Sequence, residues 1–437
     1  MNEQAKEQPE LAAALEVEGF LLSREQFDMR FGLDRMRRLL ALLGDPQNTV
    51  PAVHVVGTNG KSSTTLMIGA ALGAQWLRSG CFTSPHLRSF RERVEIEGRM
   101  IAPHAFVAAG GRVREAIEKL DAHSETDDRV TQFEAIAAVS FIAFAEAGLD
   151  VAVVEAGLGG RLDATNVLGD SRVQVLTGVG IDHTEYLGES IELIAREKLA
   201  VVRSNAVLVC GALGAVAEQQ ANDVSDERDA RLVHVRSEER SFASLPGAFV
   251  RRNASLALAA AGVMQNRTRP GETFERERAI VAITEFVRST RLQGRLQVTN
   301  LDPLELRDIA HNEQAADALI EALPELIDDR PVTLLVAMMR DKDIEPTLRR
   351  LLTAIHPDGV VVCTRSTNPR SLAAADLATQ ITALAPDARI EIEPAPHAAL
   401  DRAREIAGRS GALLVTGSNY LLADLLRDPS APAGATL

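Results

Sequence analysis

The sequence predicts an α/β protein of two domains, each built on a mainly parallel sheet, and three observations carry that expectation. Short β-branched runs alternate with longer helical patterns, the alternation restarts after about residue 296, and 437 residues suffice for more than one core. In the first half the apolar runs are AVHVV (52–56), LDVAVVE (149–155), VQVLTGV (173–179) and AVLVC (206–210). Unbroken apolar runs of this length suit strands buried on both faces, and the intervening TQFEAIAAVSFIAFAEAG and SIELIAREKLAVV read as crossover helices. ELRDIA, VTLLVAM, GVVVCT, ARIEIE and ALLVT repeat the pattern in a smaller second unit. Between the halves, ERERAIVAITEFVRSTRLQGRLQV is a helix running into a Gly-containing connection, which sets the expected domains at 1–293 and 294–437. The closing RDPSAPAGATL is small and Pro-containing and is expected to fray.

Composition narrows the function classes. A formal net charge of -14 disfavours a nucleic-acid-coating surface and leaves small anionic substrates open. The three cysteines, Cys81, Cys210 and Cys363, are far apart and each lies beside apolar residues, so they are expected in the core and not in disulfides or a zinc site. The first twenty residues lack the basic start and apolar centre of a signal peptide, and no segment approaches the roughly 20 apolar residues of a membrane span. A cytoplasmic protein with neither nucleic-acid nor membrane partners is expected.

Residues 53–65, VHVVGTNGKSSTT, hold the first chemical signal. A strand that ends in a Gly-rich turn and opens a helix presents unpaired N–H groups and the positive end of the helix dipole to an anion. Lys61 can reach outer phosphates, and Ser62 or Ser63 can bring a hydroxyl near a magnesium ion. Only Thr58 and Asn59 separate the glycines, where the standard phosphate loop has four residues. A Gly-containing turn with a chance lysine is the competing reading. Glu155 ends the run LDVAVVE, where a carboxylate at the C-terminal end of a buried parallel strand faces the crevice in which such sheets bind ligands. It could equally cap the following segment. Asp182-His183 follow VQVLTGVGI, where a lone histidine is more often a hydrogen-bonded core residue than a ligand. Three polar strand ends together favour a shared site.

These segments resemble the folylpolyglutamate synthase and dihydrofolate synthase family, within the ATP-dependent amide ligases that include the muramyl peptide ligases. The resemblance rests on GTNGKSS, TSPHLRSFRERVEIEG (83–98), QFEAIAAVSFIAFAE (132–146), VVEAGLGGRLDATN (153–166), GIDHTEYLGESIELIAREK (180–198), GAFVRRNASLALAA (247–260), IAHN (309–312), RDKD (340–343) and VTGSNYL (415–421), in family order over nearly the whole chain. It implies a Mur ligase-like fold, with an N-terminal P-loop ATPase domain on a mainly parallel sheet and a smaller Rossmann-like C-terminal α/β domain. It also implies an ATP-dependent amide ligase that joins L-glutamate to dihydropteroate or tetrahydrofolate through an acyl phosphate, with ATP and Mg2+ as cofactors and a monomer as the family expectation.

By the same resemblance, Ser84, Glu155 and His183 hold magnesium, and Gly57, Thr58, Asn59, Gly60, Lys61 and Ser63 hold phosphates, with Ser62 counted in the same ATP-binding turn. Asn253, Arg295, Asp308 and His311 are assigned to the nucleotide. Lys198 matches a lysine that some relatives carry as a carbamate, against the alternative of an ordinary salt-bridged helix lysine after Glu197. Lys61, Glu155, His183 and Lys198 form the expected catalytic set. Four places depart from the family pattern: Ser62 stands where glycine is common, Ile309 replaces a glycine, Glu313 replaces a proline, and AREKLAVV surrounds Lys198. The Ser62 hydroxymethyl either crowds the phosphate or adds a hydrogen bond, and Glu313 is expected to point outward at the start of its helix. A muramyl-type ligase acting on another carboxylate is the rival, disfavoured because only about 50 residues precede Gly57 where such enzymes carry a further domain.

Overall fold

Strand β1 (Ala52–Val56) is buried at every position, as its unbroken apolar run requires, and it organises the larger of two sheets. The computed structural model describes residues 3–24, 32–122, 128–289, 291–355 and 359–427. The expected fraying of the C-terminus falls, from residue 428 onward, outside the described residues. The chain forms two compact units, one of Met1–Phe242 with Arg252–Phe286 and one of Ala243–Arg251 with Val287–Leu437.

In the first unit β1 is joined by β2 (Ser79–Phe82), β3 (Val94–Ile96), β4 (Arg99–Met100), β5 (Val151–Glu155), β6 (Ser171–Leu176), β7 (Val207–Cys210) and β8 (Arg231–His234). Their order is β4-β3-β2-β5-β1-β6-β7-β8, parallel except where β3 pairs with β2 and β4. The chain leaves β1 toward one edge, returns as β5, and continues from β6 toward the other. That reversal puts the C-terminal ends of β5, β1 and β6 side by side, where α/β sheets bind ligands.

Helix α1 (Lys61–Gly73) follows β1 after a four-residue turn. Helix α2 (Gln132–Glu146) is buried continuously from Glu134 to Phe144, which explains its nearly unbroken apolar sequence. Its start is a capping box: Thr131 Oγ1 accepts from the Glu134 N–H at 3.2 Å, and the Glu134 carboxylate accepts from the Thr131 N–H at 2.8 Å. Arg35, itself buried, donates to the same carboxylate at 3.2 Å and so pairs a charge that burial would otherwise penalise. Phe82, Phe90, Phe106, Phe141 and Phe144 fill the core around α2.

The second unit carries β9 (Gln297–Leu301), β10 (Leu304–Arg307), β11 (Val332–Val336), β12 (Val360–Cys363), β13 (Arg389–Ile392) and β14 (Ala412–Thr416), in the order β13-β12-β11-β14-β10-β9 with only β9 antiparallel. All five runs expected here form strands. The expectation missed β9, whose exposed residues alternate too weakly to separate from a loop. All three cysteines are buried and unpaired with one another. No helix among the described residues is long and apolar enough to cross a membrane.

Candidate active site

The turn after β1 is held from outside. Thr177, the first residue past β6, donates from Oγ1 to Asn59 O at 2.6 Å, and the Thr58 N–H donates to Gly178 O at 3.0 Å. Thr58 Oγ1 also accepts from the Gly180 N–H at 2.9 Å. A Cβ on Gly57 would lie 1.9 Å from Thr177 Oγ1, so only glycine lets these strand ends approach. Gly60 has φ +79° and a Cβ there would meet the Asn253 amide at 2.8 Å, which places Asn253 against the turn.

Lys61 opens α1 and folds back, donating from Nζ to Gly57 O at 3.2 Å and Thr58 O at 3.3 Å. Ser63 is buried in the first turn of the helix. Glu155, 1 % exposed at the end of β5, accepts from the Ser84 N–H at 3.1 Å through Oε2, and Ser62 Oγ lies 3.1 Å from its Oε1 and 3.3 Å from Ser84 O. The departure at Ser62 therefore adds a hydrogen bond, with the neighbouring carboxylate as partner.

Lys198 sits near the end of helix α3 (Ile191–Leu199), buried, and donates to Gly57 O at 2.9 Å. The neighbouring Glu197 pairs with Arg161. Burial, reinforced by the nearby Lys61 cation, pushes the Lys198 amine down to about 7, while Asp182 and Asp163 oppose the shift. The loop following β5 packs on this helix: a Cβ on Gly160 would lie 2.8 Å from the carbonyls of Glu197 and Lys198, and the Arg161 N–H donates to Glu197 O at 3.0 Å.

His183 has the left-handed φ of +51°, its N–H donates to Asp182 Oδ1 at 2.9 Å, and its Nε2 lies 3.8 Å from the same oxygen. The turn, Lys61, Ser62, Ser84, Glu155, Lys198 and Asn253 are thus linked by direct contacts. His183 is linked to Asp182, which acts electrostatically on Lys198. In the second unit Asp308, 7 % exposed, accepts from the Leu296 N–H at 2.7 Å and the Ala310 N–H at 2.8 Å. Burial raises its pKa, and Arg295 opposes the rise. His311 Nδ1 lies 2.9 Å from Ile309 O. Glu313 starts its helix exposed and 3.6 Å from Arg350, outward as expected.

Three contributors were not assigned from sequence. Thr177 clamps the turn, and it ends an apolar run as Glu155 does, so the rule that found one would find the other. Asp163 is buried and accepts from the Leu158 N–H at 2.8 Å, the Thr165 N–H at 3.0 Å and Thr165 Oγ1 at 2.5 Å, which fixes the glycine-rich loop. Asp182 is the third.

Two carbonyl-capped lysines and a buried carboxylate thus meet where the ends of β5, β1 and β6 come together. Residues 294–419 match the family described as Mur ligase, glutamate ligase domain. The chain is 33% identical over 402 residues to the dihydrofolate synthase/folylpolyglutamate synthase of Mycobacterium tuberculosis, covering 83% of this chain and 80% of that one. The chain belongs to the folylpolyglutamate synthase/dihydrofolate synthase family. A solved structure of the Mycobacterium tuberculosis folylpolyglutamate synthase complexed with ADP superposes with a TM-score of 0.86 at 30% identity, covering 97% of this chain and 100% of that chain. A probable bifunctional folylpolyglutamate synthase/dihydropteroate synthase of Haloferax volcanii is 32% identical over 94% of this chain, which spans only 50% of that longer relative. The fold is the Mur ligase-like α/β fold of this family, whose members are ATP-dependent ligases joining glutamate to folate or pteroate substrates.

Proposed function

We propose that this chain transfers the γ-phosphoryl group of ATP to the carboxylate of a pteroate or folate and then joins that carbon to the amine of L-glutamate. A carboxylate and an amine do not condense in neutral water, because the leaving oxygen is poor and the carboxylate repels nucleophiles. In the first step a carboxylate oxygen attacks the γ-phosphorus and ADP departs. In the second the amine attacks the acyl carbon, the C–O bond to phosphate breaks, and nitrogen loses a proton. The observation that carries this reading is the Lys61 ammonium held on the carbonyls of its own turn, one residue before Ser62, whose hydroxyl meets Glu155. Lys61 would exchange those carbonyls for phosphate oxygens and offset the charge that develops during transfer.

Magnesium fits the donors. Two N–H or O–H donors orient the Glu155 carboxylate, a group with about four lone-pair sites, and it lies beside Ser84, while His183 is in the loop after β6, one strand beyond β1. Magnesium is usually held by few protein groups plus phosphates and water. When bound through Glu155, Ser84 and His183 it would supply positive charge at the transferred group.

The test supplies ATP, magnesium and L-glutamate with dihydropteroate, with tetrahydrofolate, or with neither, and reads products by mass. A gain of one glutamyl unit on either acceptor is expected, and Lys61→Ala should lower phosphate release about a hundredfold or more with the fold intact. No product with either acceptor would redirect the search to other carboxylates.

A further inference from the structure

Ser62 stands in the second position of α1, where its hydroxyl has one proton and two acceptors in reach, Glu155 Oε1 at 3.1 Å and Ser84 O at 3.3 Å. The carboxylate is the nearer and the charged acceptor, and hydrogen bonds to ionised oxygen are the stronger kind. The other oxygen, Oε2, takes the Ser84 N–H at 3.1 Å. Glu155 is therefore gripped at both oxygens, once by backbone and once by a side chain that the glycine common at this position could not supply. The grip also ties three segments together, since Ser62 is on α1, Glu155 ends β5 and Ser84 follows β2.

We propose that Ser62 is a positioning residue that locks the Glu155 carboxylate in the orientation from which it ligates a divalent cation. The proposal rests on the magnesium-binding role given to Glu155 above. Fixing a ligand's rotamer beforehand removes the ordering cost from the binding step, and partners of this kind are worth about 10- to 100-fold in metal affinity. Ser62 acts on the cation through Glu155, so its removal weakens the cation more than it weakens the nucleotide.

The experiment measures Mn2+ binding to the ADP-loaded full-length protein by electron paramagnetic resonance, and ADP binding in the absence of metal by calorimetry. Ser62→Gly and Ser62→Ala should weaken Mn2+ about tenfold, weaken metal-free ADP by clearly less than that, and be rescued by Ser62→Thr, which restores the hydroxyl. Ser62→Ala separates loss of the hydroxyl from the added backbone freedom of glycine. Glu155→Gln is the reference. If it abolishes Mn2+ binding while both Ser62 variants bind as the parent does, the positioning role is overturned and the metal role of Glu155 stands. If Glu155→Gln binds Mn2+ normally, the metal role falls and the positioning role with it. Equal losses of Mn2+ and metal-free ADP binding in the Ser62 variants would overturn the proposal in favour of a general disturbance of the turn.

Discussion

Lys198 and His54 show how burial, reinforced by a neighbouring cation, sets the chemistry of a basic side chain. Lys198 donates to Gly57 O beside a second lysine, and its amine titrates at about 7 instead of its ordinary 10.5. At pH 8 most of it is neutral, the form whose lone pair can add carbon dioxide and lose a proton to become a carbamate. We expect protein equilibrated with 13C-bicarbonate at pH 8 to show a carbamate carbonyl resonance that disappears in Lys198→Arg. The signal should fade as pH drops through 7, where the amine takes up its proton. A spectrum without that resonance would leave Lys198 as a hydrogen-bonded structural residue. His54 sits within β1, fully buried, and its pKa falls to about 3, chiefly by burial and further by Arg203. Thr165 Oγ1 spends its proton on Asp163, so the 2.8 Å contact with His54 is an Nε2–H donating to Thr165. The sequence places this histidine on an apolar strand but is silent about which ring nitrogen carries its proton, which depends on a threonine 111 residues away.

At the scale of elements, the phosphate turn is a junction of three strand ends more than a local motif. The sequence announces its glycines, its lysine and the helix that follows. It does not announce that Thr177 and Gly180 fasten it, because those contacts bridge about 120 residues and depend on β6 lying beside β1. Gly57→Ala tests this dependence. The added methyl would overlap Thr177 Oγ1, and overpacking of this kind costs about 1–3 kcal/mol, so ADP affinity should fall on the order of 10- to 100-fold. Shortening the opposing side chain in Gly57→Ala/Thr177→Gly should recover part of the loss, and an unchanged affinity in Gly57→Ala would show that the turn moves freely of β6. Helix α2 gives the opposite case. Its capping box and apolar run lie within sixteen residues, so the start and burial of the helix are both readable locally, and only the Arg35 partner of Glu134 is remote.

For the whole molecule, the buried histidines make the first unit sensitive to acid. The unfolded chain protonates His54 near 6.5 and the folded chain only near 3, so the stability held above pH 6.5 is lost progressively as pH falls toward 3. The slope approaches about 1.4 kcal/mol per pH unit. His86 acts in the same sense, its pKa lowered by burial and by Arg93, whereas Asp163, with a pKa raised by burial, acts in the opposite sense. Comparing urea unfolding of the parent with His54→Gln isolates the first term: between pH 6 and 4 the parent should lose stability relative to the variant at close to that slope. Parallel profiles would mean that His54 is protonated in the folded protein.

Local sequence by itself determined the two α/β units, most of their buried strands, the glycine-rich turn and the carboxylate at the end of β5, because period and strand-end polarity are properties of short segments. Only the tertiary structure decided the partners. It turned Ser62 toward Glu155, lowered Lys198 beside Lys61, set Asn253 on Gly60 and neutralised His54. Each of those outcomes is a distance or a loss of water between residues far apart in the chain, and a hydrogen bond or a shifted pKa has no value until the fold has fixed both.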